Sequence, residues 1–174
     1  MNLEKHRFSL RMEMNMPKIE VKSHPEMMVV GLQYRGKNQE GEIPQLWGKL
    51  MEYEVENRDF SVYAAYGISI MDEAYEETMV FVYIAGYPVT EMPQELPEDM
   101  GAFTIPKGDY AVITSPNLAS ISQAYDAVYR FVASSEEYDQ DLTAGNFNFE
   151  LYGEEFNPET GTEKFYIYVP VKQK

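Results

Sequence analysis

The sequence predicts an α+β fold of two βαββ halves related by a pseudo-twofold axis. The antiparallel sheet carries its helices on one face, and a ligand cleft lies between the halves. Three observations predict it. Apolar periodicity passes from strand to helix and back to two strands, twice; the two helical stretches carry matching apolar stripes; and short motifs recur in the same order in both halves.

The first strand is MMVVGLQYR, residues 27–35, rich in β-branched and apolar types. A polar loop from Gly36 to Gly41 leads into EIPQLWGKLMEYEV, residues 42–55. There Ile43, Leu46, Trp47, Leu50 and Met51 follow the i, i+3, i+4, i+7, i+8 spacing of an amphipathic helix. Pro44 falls in its first turn, where a missing N–H costs little. Residues 61–70 and 78–85 read as two strands joined by an acidic loop. The proline- and acid-rich run 88–101 reads as a linker between the halves.

The second half repeats this order. DYAVIT (109–114) is a strand, and 118–132 is a helix with Ile121, Ala124, Tyr125, Val128, Tyr129 and Val132 on one stripe. FNFELY (147–152) and KFYIYVPV (164–171) are strands, with NPETG (157–161) as a turn. The halves therefore span about 27–89 and 109–171, within a domain of 17–174 that follows an N-terminal extension, 1–16. The shared motifs are IPQLW with ISQAY, YAAYG with FELYG, and GYPV with YVPV.

Strand alternation sorts these residues into faces. With Phe149 and Leu151 toward the helix, Glu150 and Tyr152 face the other way. With Phe165, Ile167 and Val169 toward the helix, Tyr166 and Tyr168 join Glu150. In the first half Val82 and Ile84 take the helix side, leaving Tyr83 opposite, and the repeat matches Ala64 to Glu150 and Tyr66 to Tyr152. The outcome is a tyrosine-lined cleft with one carboxylate, Glu150. A buried carboxylate needs a partner or a raised pKa, and tyrosine hydroxyls or a cationic ligand can serve. Aromatic walls around one anion suit a lipophilic cation. Trp47 belongs to the core stripe of its helix but can reach the cleft from the helix end.

Composition narrows the function classes. The chain has no cysteine, and its two histidines, His6 and His24, lie near the N-terminus. Thiolate chemistry, Ser-His pairs and His-based metal centres are therefore not expected, nor is a metal or cofactor. The net charge of −15 repels phosphate backbones, so direct nucleic-acid binding is not expected either. No stretch approaches the roughly 20 apolar residues of a membrane span, and no secretory leader is visible, so a cytoplasmic protein is expected. The acidic surface leaves room for a protein partner; the oligomeric state is open.

The segments VVGLQYRG, GEIPQLW, IPKGDYAVI, FELYGEEF and FYIYVPV, in this order, resemble the GyrI-like domain, the bacterial transcription activator effector-binding domain. The resemblance covers roughly 17–172. It implies two βαββ units about a ligand cleft whose basal Glu meets cationic aromatic drugs. Glu150 matches that Glu; Tyr152, Tyr66, Tyr83, Tyr166 and Tyr168 match the aromatic lining more loosely, and Trp47 resembles a helix Trp of the stand-alone branch. The 16 residues before Pro17 are too few for a helix-turn-helix module. The expected function is binding of a hydrophobic, cationic or polar-aromatic small molecule. Two alternatives share the resemblance: hydrolysis of reactive cyclopropane-type compounds with Glu150 as the catalytic group, and an acidic interaction module such as a gyrase antagonist.

Overall fold

A computed structural model describes residues 17–157, 160, 161 and 163–174. The N-terminal extension and part of the 157–161 turn lie outside the described residues. The strands are β1 (Ile19–His24), β2 (Met27–Gly36), β3 (Ala65–Met71), β4 (Phe81–Pro88), β5 (Met100–Ile105), β6 (Gly108–Ser115), β7 (Tyr138–Gln140), β8 (Asn146–Tyr152) and β9 (Phe165–Gln173). The helices are α1 (Glu42–Leu50), α2 (a single turn, Tyr75–Thr78) and α3 (Ile121–Ser134), the last preceded by a 3₁₀ turn, Leu118–Ser120.

All strands join one antiparallel sheet in the order β1-β6-β9-β8-β3-β4-β2-β5, with β7 paired to β9. The order reads symmetrically about the β8–β3 pair, so the expected pseudo-twofold relation holds. Each half also lends a strand to the other: β1 pairs with β6, and β5 pairs with β2. These two strands, with β7, were not expected. β1 (IEVKSH) mixes polar and apolar residues as an edge strand does, and β5 begins inside the stretch read as linker.

Helix α1 stops at Leu50 rather than continuing to 55. Tightened i→i−3 bonds close it, from Glu52 N to Lys49 O and from Tyr53 N to Leu50 O. The acids that follow, Glu52, Glu54 and Glu56, oppose the negative end of the helix dipole. The next strand starts at Ala65 instead of 61, leaving Phe60 and Tyr63 exposed in the α1–β3 connection.

Both main helices lie on one sheet face. Leu50 of α1 packs with Val30, Leu32, Tyr83 and Ala85. Ala124, Val128 and Val132 of α3 pack with Ala111, Ile113, Ile167 and Val169. The helix-free face has its own core, which includes Val29, Ile84, Ile105, Tyr110, Phe147 and Phe149. The sheet curls to close it. Phe103 of β5 and Phe147 of β8 are four strands apart, roughly 19 Å in a flat sheet, yet their rings are 5.0 Å apart. A glycine row, Gly86–Gly31–Gly101, crosses β4, β2 and β5 where this bending brings backbones together. A Cβ on Gly31 would sit 1.9 Å from the Ala85 carbonyl oxygen.

Candidate functional site

Because the helix-free face is filled by its own core, the open space lies on the helix face, between α1 and α3. Glu150 stands at the floor of this space on β8. The residue is 5% exposed, and its carboxylate sits in a cage of phenols. Tyr83 Oη and Tyr152 Oη donate to Oε2 at 2.7 and 2.6 Å, and Tyr125 Oη donates to Oε1 at 2.7 Å. Trp47 Nε1 donates in turn to Tyr83 Oη at 3.1 Å, and its ring meets Tyr152 edge-on at 5.2 Å. Asn148, two residues before Glu150 on the same face, extends the network by donating to Tyr129 Oη at 2.9 Å. None of the ion pairs among the described residues involves Glu150.

Gly67 makes the cage possible. It lies directly opposite Glu150 in the β3–β8 register. A Cβ there would fall 2.0 Å from Tyr83 Oη and 2.6 Å from Glu150 Oε2. The two central strands thus carry a side chain on one side only, and the carboxylate fills the space that glycine leaves.

Burial pushes the Glu150 carboxyl above its ordinary pKa, and the three phenolic donors pull it partly back. The same burial, with Glu150 alongside, drives Tyr83, Tyr125 and Tyr152 well above the ordinary phenol range. The tyrosines are therefore neutral donors, and Glu150 is the titrating member of the group.

Above the cage the space widens to a cleft of about 1580 Å³. Ile43, Trp47 and Met51 line it from the α1 side, and Ile121, Tyr125 and Tyr129 from α3. That exceeds the roughly 300–1,000 Å³ of ordinary small-molecule pockets and admits a ligand of several rings. Among the described residues no His, Cys, Asp or Glu group could hold a metal ion, and no helix is long and apolar enough to cross a membrane.

Of the residues expected in the cleft, Glu150, Tyr152, Tyr83 and Trp47 come together there. Tyr66, Tyr166 and Tyr168 do not; they belong to the helix-free face. Tyr168 stacks on Phe149 at 4.5 Å, and Tyr66 tilts against the same ring. The expected faces of β8 and β4 are inverted, because the curled sheet buries Phe147, Phe149 and Ile84 away from the helices. The face of β9 is as expected, with Ile167 and Val169 under α3. The repeat match of Ala64 to Glu150 was also out of phase, since Ala64 packs against the core of the helix-free face while Glu150 points to the helix side. Sequence reasoning missed Tyr125, Tyr129 and Asn148. The signal for Tyr125 was a phenol on a buried helical stripe, where the hydroxyl needs an acceptor.

A curled antiparallel sheet with paired helices on one face and a large cleft between them defines the class of fold. The chain belongs to the Cass2 family of integron-associated effector binding proteins, whose model matches residues 20–171. It is 30% identical over 151 residues to the transcriptional regulator BrlR of Pseudomonas aeruginosa, a match covering 84% of this chain and 53% of BrlR. The chain thus spans about half the length of that curated relative. An integron cassette protein of Vibrio cholerae shares the fold, with a TM-score of 0.60, 18% identity, and 88% and 95% of the two chains covered. SAV2435, solved bound to tetraphenylphosphonium, gives a TM-score of 0.63 at 14% identity over 89% and 94%. EcmrR, in a complex with DNA, gives 0.68 at 15% over 98% and 63%.

Proposed function

We propose that this chain reversibly binds a hydrophobic aromatic cation in the cleft between α1 and α3, with Glu150 as its counter-charge. The observation that carries the reading is a buried carboxylate held only by neutral phenols at the floor of a large aromatic cleft. Such a group lacks the cation that would offset its desolvation, and a ligand can supply it. Aromatic side chains around it add attraction for a delocalised positive charge. The net charge of −15 raises the local concentration of cations around the molecule. A structural neighbour solved with tetraphenylphosphonium, a lipophilic aromatic cation, agrees in kind with this ligand class.

Tetraphenylphosphonium titrated against the wild-type chain and Glu150→Gln tests the reading. Trp47, the sole tryptophan, sits in the cage and reports occupancy by its fluorescence. The wild type is expected to bind, and Glu150→Gln to bind at least about tenfold more weakly, the loss of one buried charge pair. Equal affinities would remove Glu150 from the site.

A further inference from the structure

The cleft wall holds a second polar group of opposite sign. Arg58 is the only basic side chain among the described residues that line it. The chain has 29 acidic and 14 basic residues, so a guanidinium here has many carboxylates to choose from. Lys18, Lys22, Arg35, Lys164 and Lys174 form the ion pairs found among the described residues, and Arg58 forms none. Its neighbour Asp59 is turned away, accepting from Ser61 N at 3.0 Å and from the Ser61 hydroxyl. Of the acids lining the cleft, Asp72 is paired with Arg35.

Arg58 is nonetheless held in place. Its backbone bridges to Val89, beside Asp59 N to Pro88 O at 2.9 Å and Thr90 N to Asn57 O at 3.0 Å. Its guanidinium carbon lies 3.5 Å from the centre of the Tyr87 ring and 5.1 Å from that of Phe60. Stacking engages the faces of the guanidinium and leaves its in-plane N–H fork for a planar acceptor. A fixed fork without a carboxylate, in a cleft that also holds Glu150, is arranged for a ligand that brings an anionic group of its own.

We propose that Arg58 is a second polar subsite that takes a carboxylate or similar planar anion on the ligand, so that the cleft accepts aromatic zwitterions as well as simple cations. This rests on the reading of the cleft as a small-molecule site. It separates the two ends of the ligand: the cationic aromatic part meets the phenol cage, and the anionic part meets the rim of the α1–β3 connection.

A matched pair of dyes tests it, a rhodamine bearing a free benzoic acid and its methyl ester, which share the cationic ring system. Binding is read by fluorescence anisotropy for wild type, Arg58→Gln and Arg58→Lys. The acid is expected to bind the wild type at least as tightly as the ester. Arg58→Gln should weaken the acid about tenfold and the ester less than about twofold. Arg58→Lys, which keeps the charge but not the fork, should fall between, and unchanged ester binding shows that the cleft is intact. If Arg58→Gln leaves both dyes unchanged or weakens both equally, the subsite is refuted while the cation site stands. If neither dye binds the wild type, the cleft reading itself fails and this inference fails with it.

Discussion

Glu150 is a nearly buried carboxylate whose hydrogen-bond donors, three phenols, are all neutral. Its carboxyl is shifted upward by burial and only partly restored by Tyr83, Tyr125 and Tyr152. A cation bound beside it favours the ionised form, so binding expels a proton wherever the free protein holds one. Affinity for tetraphenylphosphonium should therefore rise with pH through the raised carboxyl range and level off above it. The tyrosines, held well above their ordinary range, add no further step near neutrality. Affinities measured across a pH series should show this rise in the wild type and a flat line in Glu150→Gln. A wild-type profile as flat as the variant's would contradict a direct charge contact. Strand alternation grouped Glu150 with Tyr152 and set Tyr83 apart from Ile84, and a helical stripe marked Trp47, but the face that carries the β8 and β4 residues was assigned the wrong way round. Tyr125 was hidden, since the same stripe that places it also explains it as core.

At the level of elements, one carboxylate ties together three parts of the fold. Tyr125 reaches it from α3, Tyr83 from β4, and Trp47 of α1 through Tyr83. The space for these bonds comes from Gly67 on β3. Gly67→Ala should therefore cost about 1–3 kcal/mol, as overpacking does, and weaken cation binding as well. Gly48 is the contrasting case: it is exposed in the interior of α1, and a methyl added there would meet open space. Gly48→Ala should therefore stabilise by about 1 kcal/mol and leave binding alone. Urea denaturation and the same titration check both, and a neutral Gly67→Ala would show that the cage has slack. The two main helices, α1 and α3, and the six strands with strong apolar runs were legible, whereas the single turn α2 falls in the stretch read as an acidic loop. β1 and β5 were not, because their pairing is non-local: each borrows its partner from the other half, and no local pattern records that. The end of α1 was misplaced for a different reason, as the apolar spacing continues to Met51 while the chain's acids turn it aside.

For the whole molecule, duplication was legible, but which sheet face borders the cleft was not. Two halves with exposed sheet faces can bury those faces in each other or leave them around a ligand, and the alternation of Phe149 with Glu150 fits both. The curl of the sheet decides between them. It brings β5 to within ring contact of β8, places His24 against Tyr66, Tyr110, Phe149 and Tyr168, and so fills the helix-free face. Tyr66, Tyr166 and Tyr168 then serve the core, and the cleft moves to the helix side with Glu150 at its base. The most direct test is a crystal structure of the chain with tetraphenylphosphonium. The account predicts the cation between α1 and α3, its rings against Trp47 and Tyr125 and its charge nearest Glu150. A cation seated instead on the helix-free face beside Tyr66 and Tyr168, or bound away from Glu150 altogether, would contradict it.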